Sequence, residues 1–169
     1  MTNQELLKVY SAYLPYGVKL VDDEYKDIHT LFTVCSNDSI VVKNNEDKGV
    51  DVLMYGDFKL LLRPLSDLTK EIEHNGEKFV PALELVKEKE KYKKWNDNAP
   101  TIDYDIKIVK KPFGKILKVS KLNQWVIMLS FDEPERSEYF IIEKLLEWHF
   151  DIYGLLDKNL AINLNQIEK

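Results

Sequence analysis

The sequence has few of the residues that carry covalent or metal chemistry. Its one cysteine, Cys35, excludes an internal disulfide and a zinc site built from several cysteines. Gly56 and Gly76 stand alone in short turns, so no glycine-rich loop of the phosphate-binding kind is present. No apolar run approaches the roughly 18 residues of a membrane span, and residues 1–17 lack the basic lead and apolar core of a signal peptide. We therefore expect a soluble cytoplasmic protein with no membrane contact.

The composition predicts one packed domain. The 169 residues are 44% hydrophobic and 11% aromatic, which suffices for one ordinary core and is short for two, so we predict a single domain over 1–169. A net charge of -5 disfavours general attraction to nucleic acid, although a local basic patch can override the sum. The acidity favours protein partners, or basic surfaces that normally hold nucleic acid.

The first predicted element is a helix near the N-terminus. Thr2 and Glu5 have the spacing of a capping box, and apolar residues recur at helical spacing over 6–13. Pro15 and Gly17 end this helix. The sequence therefore begins with an amphipathic helix that can pack on whatever follows.

The middle of the chain alternates strand and helix signals. Residues 28–65 are rich in β-branched side chains broken by turn residues, and they predict three or four short antiparallel strands. Ser66 is a candidate N-cap for a short helix closed by "HNG" at 74–76. A second, highly charged helix begins at Pro81 and runs to Trp95.

The last third predicts more strands and a long helix. Residues 101–131 read as two or three strands with turns at 110–115 and 120–123, and residues 160–164 add a final strand. Between them lies an amphipathic helix that Gly154 ends. The predicted fold class is α+β: a twisted antiparallel sheet, with the N-terminal helix and the long amphipathic C-terminal helix packed on it.

The C-terminal helix contains the segment that most resembles a chemical site, "EKLLEWHFDIYG". At helical spacing, Glu143, Glu147 and Asp151 form one column, which we interpret as a solvated face. His149 lies on the other face, and a zinc helix of the His-Glu-x-x-His kind needs a second histidine one turn away. We therefore predict that His149 is satisfied by a hydrogen bond at the edge of the core.

Two neighbours of His149 are predicted to be structural as well. Leu145 belongs to the same apolar face and should be buried against the sheet. Trp148, beside it, should close the flank of the helix. This assignment makes Leu145, Trp148 and His149 structural candidates rather than catalytic ones.

A lysine-rich stretch is the main candidate contact surface. Six lysines share residues 105–121 with one acid, Asp105, and a stripe of this kind on exposed strands can contact phosphates. Aromatic side chains suited to stacking on bases are limited to Phe113. Edge strands also carry lysine simply to prevent aggregation, so both interpretations stay open. The six are Lys107, Lys110, Lys111, Lys115, Lys118 and Lys121.

Catalytic and metal sites have little support in the sequence. The acidic turn at 22–27 offers oxygen ligands, but it lacks the spacing and central glycine of a calcium loop. Cys35 with a histidine could form a nucleophilic pair, yet it lies in a β-rich run where a small buried thiol is the ordinary outcome. We predict no catalytic residue, no metal site, no cofactor and no enzyme, and an enzyme that uses Cys35 or His149 stays open as an alternative.

Three segments together resemble a group of small, uncharacterised proteins encoded in phages and prophages of Bacteroidetes-type bacteria. They are "LLKVYSAYLPYGVK" at 6–19, "LLRPLSDLTKEIEHNGEKFVP" at 61–81 and "IIEKLLEWHFDIYGLLDKNLAINLN" at 141–165. The resemblance implies a bacterial host cell but brings no catalytic residues with it. Residues 84–135 depart most from the pattern, and they include the lysine-rich stretch.

Two functions follow as hypotheses. The first is a phage-encoded, non-enzymatic inhibitor of a host defence system, for example an anti-CRISPR protein that binds an RNA-guided nuclease and disturbs its guide or target binding. The partner is then a host protein such as a CRISPR effector nuclease. The alternative is a phage-genome accessory module that binds DNA or RNA through the lysines of 107–121. The sequence does not predict the oligomeric state or the order of the strands.

Overall fold

The computed structural model describes residues 1–24, 26–44, 49–92, 105–111, 114–121, 124–130 and 139–167. The chain forms two compact units, one made of residues 1–64 and 145–169 and the other of residues 65–144. The prediction of a single domain stays a prediction.

The described elements, in chain order, are three α-helices and eleven strands. The helices are α1 (Asn3–Tyr13), α2 (Pro81–Tyr92) and α3 (Tyr139–Glu147). The strands are β1 (Lys19–Asp22), β2 (Ile28–Val34), β3 (Ser39–Asn44), β4 (Val50–Met54), β5 (Phe58–Leu62), β6 (Ile72–His74), β7 (Glu77–Phe79), β8 (Asp105–Lys111), β9 (Gly114–Lys121), β10 (Gln124–Ser130) and β11 (Ala161–Asn163). None of the helices in the described part of the chain combines the length and the apolarity needed to cross a membrane.

Helix α1 confirms the predicted capping box. The Thr2 N–H donates to Glu5 Oε2 at 2.7 Å, and the Glu5 N–H donates to Thr2 Oγ1 at 3.3 Å. The chain continues through a 3-10 turn, Leu14–Tyr16, and Gly17 ends it in the left-handed conformation with φ 59°. Glycine has no Cβ to clash there, so the sharp exit toward β1 is unstrained.

The first unit contains a mixed six-stranded sheet in the order β11-β5-β1-β2-β3-β4. The predicted antiparallel sheet is therefore only partly correct. Strands β1 to β5 pair antiparallel, but β11 pairs parallel to β5, with Ala161 opposite Leu60. A parallel neighbour needs a long connection, and residues 63–160 provide one.

Both faces of this sheet carry apolar packing. On the inner face, Leu20 and Leu60 are fully buried, and the Tyr10 ring of α1 lies 5.2 Å from the Phe58 ring. On the outer face, the C-terminal 3-10 turn Leu164–Gln166 covers the β11, β5 and β1 side. The cluster there comprises Val21, Leu61 and Leu164, flanked by Ile28, Ile162 and Ile167.

The second unit departs from the prediction at "HNG". The 3-10 turn Leu65–Thr69 is followed by a β6–β7 hairpin, and Asn75 and Gly76 form its turn with φ 52° and 82°. Asn-Gly suits a two-residue turn in which both φ angles are positive, so this signal marked a hairpin and not a helix end.

The other elements of the second unit follow the prediction. Helix α2 begins at Pro81, as predicted, while its predicted continuation to Trp95 lies outside the described residues. Strands β8, β9 and β10 form a three-stranded antiparallel sheet with β9 in the centre. The predicted turn residues 112–113 and 122–123 also lie outside the described residues.

The long C-terminal helix is not present among the described residues. Helix α3 ends at Glu147 with a Schellman motif: the His149 N–H donates to the Leu146 carbonyl at 3.0 Å and the Phe150 N–H to the Leu145 carbonyl at 2.8 Å. His149 adopts φ 60°, and the predicted continuation to Gly154 is wrong. Residues 149–151 make main-chain hydrogen bonds with Arg63 instead. These bonds replace the ones that a longer helix would have made.

Candidate functional site

An exposed apolar surface lies on the outer face of the six-stranded sheet. Its side chains retain large exposed fractions: Phe32 49%, Val50 60%, Val52 67% and Met54 50%. With Lys43 they form what we call the outer-face patch. Single exposed apolar side chains are ordinary on a protein surface, but several on neighbouring strands indicate a contact surface.

The register of the strands explains why these residues share one face. In β4, Val50, Val52 and Met54 alternate with Asp51 and Leu53, so they lie on the same side of the sheet. Val50 pairs with Lys43 of β3, which places Lys43 on that side too.

Phe32 of β2 lies on the same face, because it comes two residues after Thr30, which pairs with Lys43. The pairing of β2 with β3 shifts between Leu31 and Thr33, which inserts Phe32 as an extra residue. The Lys43 Nζ lies 4.0 Å from the centre of the Phe32 ring, a cation–π contact. A large, half-exposed aromatic ring therefore lies on the same face of the sheet as the apolar residues of β4, with β3 between the two strands.

Strand β4 is also an edge of the sheet. The Asn44 N–H donates to the Gly49 carbonyl and the Tyr55 N–H to the Asp38 carbonyl, at 3.0 and 2.9 Å. In an antiparallel pair the bonded positions recur every second residue, so Asp51 and Leu53 direct their main-chain groups at β3. Val50, Val52 and Met54 consequently direct theirs away from β3. Among the strands that the structure describes, none pairs with that side of β4, so Val50, Val52 and Met54 form an open edge of the sheet.

The six predicted contact lysines lie on the β8–β9 hairpin of the second unit. Their backbone register places Lys107 directly opposite Lys118, and Lys110 opposite Lys115. Lys111 ends β8 opposite Gly114, and Lys121 ends β9 opposite Gln124 of β10. The structure therefore brings four of the six lysines together as two cross-strand pairs of like charge.

The predicted structural residues lie where α3 ends. Leu145 is fully buried, and Trp148 is 4% exposed. His149 is half-buried, and its Nε2 lies 3.0 Å from the Tyr16 carbonyl oxygen, beyond the end of α1. This contact with a main-chain oxygen corresponds to the hydrogen bond that was predicted for His149 at the edge of the core.

Sequence reasoning missed a buried polar cluster at the same place. Asp151, expected on a solvated face, is 5% exposed, because the helix ends before it and the chain turns inward. Its Oδ1 accepts the Leu155 N–H and its Oδ2 the Leu156 N–H, both at 2.8 Å. These bonds join Asp151 to residues four and five positions later, farther than the local capping patterns of Asp extend, so no short-range signal in the sequence marks them.

Tyr13 and Arg63 complete this cluster. The Tyr13 hydroxyl donates to the Phe150 carbonyl at 2.6 Å, and burial raises the pKa of Tyr13 well above its ordinary value. The Arg63 N–H donates to the His149 carbonyl at 2.8 Å, and the Asp151 N–H donates to the Arg63 carbonyl at 2.9 Å. These contacts hold residues 149–151 against the end of β5, so the cluster has an evident structural role.

The acidic turn at 22–27 and Cys35, which the sequence suggested for metal binding and nucleophilic chemistry, make hydrogen bonds or ion pairs with nearby residues. The Asp22 Oδ1 accepts the Glu24 N–H at 2.6 Å, and Asp23 lies 3.8 Å from the Lys26 Nζ. Cys35 is half-buried at the β2–β3 turn, where its N–H donates to the Ser39 carbonyl at 2.9 Å. Within the described ranges, no three His, Cys, Asp or Glu side chains are grouped so as to hold a metal ion.

Comparisons with known proteins do not identify a function for this surface. No protein-family model matches the chain, and neither the curated proteins nor the solved structures contain a significant match.

Proposed function

We propose that this chain is a phage-type, non-enzymatic binding protein that inhibits a defence system of a bacterial host by docking its outer-face patch on a protein of that system. An RNA-guided nuclease of the CRISPR type is the partner that we propose. The observation that supports a binding role is the patch itself, with four apolar side chains 49–67% exposed on one face of one sheet, on the strands to either side of β3.

The patch has the composition of an interface centre. Aromatic and methionine side chains are enriched at the centres of protein interfaces, and Phe32 and Met54 supply one of each. Burying an apolar side chain that is now exposed contributes about 1.5–3 kcal/mol. Lys43 adds a positive charge beside the apolar side chains, which favours a partner with acid groups around an apolar centre.

The choice of a defence protein rests on the resemblance to phage and prophage proteins. A phage product that binds a host protein tightly can block it without turnover, and defence nucleases are targets for which stoichiometric blocking is sufficient. An apolar docking surface suits this mode of action, because inhibition then depends on interface area and complementarity and requires no reacting group.

The proposal is tested by introducing a charge into the patch. Val52 is 67% exposed, so Val52→Lys should leave the fold within about 0.5 kcal/mol of the parent while placing a charge at the interface centre. The matched control is Asp157→Asn, an exposed turn residue whose substitution also changes the net charge by one. Circular dichroism melting of both variants confirms that they fold.

The assay is the plating efficiency of a targeted phage on cells that carry an RNA-guided nuclease and express the full chain. Parent and Asp157→Asn should restore plating, and Val52→Lys should not. Restoration by all three would remove the patch from the mechanism. If the parent itself fails against every defence system tested, inhibition of defence is refuted.

The lysine hairpin supports a second candidate, contact with DNA or RNA. Like charges directly opposite each other destabilise a strand pair, and β8 and β9 place Lys107 opposite Lys118 and Lys110 opposite Lys115. A polyanion bound along the hairpin would offset the like charges that this register brings to opposite positions. This register is the observation that favours the candidate.

Salt dependence tests the second candidate. Replacing Lys107 and Lys118 with glutamate should reduce the slope of log K against log salt by about two, since each phosphate contact accounts for about one. Replacing Lys8 and Lys158, two exposed lysines of the first unit, makes the same change of charge and serves as the control. A short labelled single-stranded DNA and an RNA of equal length are the probes in a fluorescence anisotropy titration. No binding at low salt would eliminate the candidate.

A further inference from the structure

We infer that the partner binds by strand addition: an extended segment of the partner joins the open edge of β4 as a seventh, antiparallel strand. This inference rests on the proposed function, because it names the binding mode of the same patch. It also specifies the chemistry of the segment, which must be apolar at alternate positions and basic at one position between them.

The main chain of β4 is arranged for such an addition. Pairing with β3 uses every second residue of β4, so the residues between them point their main-chain groups away from β3. These groups are the N–H and C=O of Val50 and Val52 and the N–H of Met54. The Met54 carbonyl already accepts the Asp57 N–H at 3.2 Å, which marks where the open edge stops. An extended segment can therefore make about five main-chain hydrogen bonds here, the mode by which exposed sheet edges bind peptides.

The side chains favour an extended partner over a helix. Natural sheets protect an edge strand with charge, proline or a bulge, but in β4 only Asp51 is charged, and Val50, Val52 and Met54 are at least half exposed. A strand added at this edge places its alternate side chains beside those three residues and extends the outer-face patch. A helix lying on the patch would leave the outward main-chain groups of β4 without new partners.

The opposite face of β4 defines the charge of the segment. Asp51 is exposed there, and Leu53 is half-buried. Cross-strand pairs of opposite charge are favourable, so the residue facing Asp51 should be lysine or arginine and the residue facing Leu53 should be apolar.

The same argument disfavours a second copy of this chain as the occupant. Antiparallel pairing of two β4 strands about Val52 would place Asp51 of one copy opposite Leu53 of the other. Each Asp51 would then face an apolar residue and lack a basic partner. A segment of another protein, with a basic residue at that position, fits the edge better.

Selection from a display library of random extended peptides, about six residues of variable sequence, tests the binding mode. The parent chain should enrich peptides with apolar residues at alternate positions and a lysine or arginine between the last two, which in an antiparallel segment face Val52 and Val50. Asp51→Lys should reverse this preference, enriching glutamate or aspartate at the same position. The reversal is a result that non-specific apolar adsorption cannot produce.

A proline substitution tests the role of the main chain. Because the Val52 N–H points away from β3, Val52→Pro removes one outward donor and leaves the ladder to β3 intact, as edge strands tolerate. Val52→Thr is the control, since it keeps the N–H and the β-branched shape. We expect an enriched peptide, synthesised with a fluorescent label, to bind Val52→Pro about tenfold more weakly than it binds Val52→Thr, or worse.

The outcomes separate the binding mode from the proposed function. If Val52→Lys abolishes inhibition in cells while Val52→Pro and Asp51→Lys retain it, strand addition is overturned and the docking function stands. If Val52→Lys retains inhibition, the docking function falls as well. Strand addition is also overturned if the peptides bind Val52→Pro as tightly as they bind the parent. It is overturned as well if the parent enriches no peptides beyond those that Val52→Lys enriches. Sedimentation that shows a dimer abolished by Val52→Pro would assign the edge to a second copy and refute the partner proposed here.

Discussion

The buried carboxylate of Asp151 should be one of the largest single polar contributions to the stability of the first unit. It is 5% exposed and accepts two main-chain N–H groups, from Leu155 and Leu156, both at 2.8 Å. Hydrogen bonds to a charged group contribute about 1.5–3 kcal/mol each, and part of that offsets the desolvation of the carboxylate. We therefore expect Asp151→Ala to lower the free energy of unfolding by about 2–4 kcal/mol.

Two further variants check the reasoning. Asp151→Asn keeps one acceptor oxygen but presents an amide NH₂ to the other N–H, so it should cost about 1–2 kcal/mol. Asn163→Ala removes a similar side-chain cap, the 3.0 Å bond from the exposed Asn165 N–H, and should cost less than about 1 kcal/mol because water can replace the acceptor.

Urea unfolding followed by circular dichroism gives the three free energies. The expected order of loss is Asp151→Ala, then Asp151→Asn, then Asn163→Ala. If Asp151→Ala lies within about 0.5 kcal/mol of the parent, the carboxylate does not hold the turn after residue 151, and the assignment of the buried polar cluster is wrong.

Three other predictions use the same unit. Leu145→Ala should lower the free energy of unfolding by about 2–5 kcal/mol, because Leu145 is fully buried; an unchanged midpoint in urea would contradict that burial. His149→Ala should be less stable than His149→Gly by about 1 kcal/mol, since both lose the ring contact to Tyr16 but only glycine adopts φ 60° freely; equal stabilities would argue against the left-handed helix end. Burial, with a smaller contribution from Tyr55, raises the pKa of Tyr10 to about 12 from 10.0. The unfolded chain therefore loses the Tyr10 hydroxyl proton at a lower pH than the folded chain, and the free energy of unfolding falls as the pH rises from 10.0 to about 12. Tyr10→Phe should reduce this fall in the free energy of unfolding at high pH. Tyrosinate absorbance follows the titration in the folded protein, and a Tyr10 pKa near 10.0 would refute the burial argument.

Local signals in the sequence predicted the elements well where these depend on nearby residues or on alternation along one strand. The Thr2–Glu5 capping box, the start of α2 at Pro81 and the final strand at 160–164 are confirmed. Each depends on interactions within a few residues, or on alternation along one strand, and both can be recognised in the sequence.

The errors occur where distant residues compete for the same main-chain groups. The periodicity of residues 143–154 favours a helix, but Arg63 of the neighbouring strand pairs with residues 149–151 and ends α3 at Glu147. The same competition moves Asp151 from a predicted solvated face into the core. Nothing within the segment indicates that a partner 86 or more residues earlier takes over its hydrogen bonds.

The candidate site divides in the same way. The β-rich character of 28–65 and the lysines of 107–121 are properties of the sequence, and so are the fold class α+β and the alternation that places Val50, Val52 and Met54 on one face. Tertiary structure alone decided that β4 would be an edge, that β11 would run parallel to β5 and that the C-terminal turn would cover only one side of the outer face. The physical reason is that alternation states which side chains share a face, whereas burial depends on which other segment packs there, and that choice is made by contacts between residues far apart in the chain.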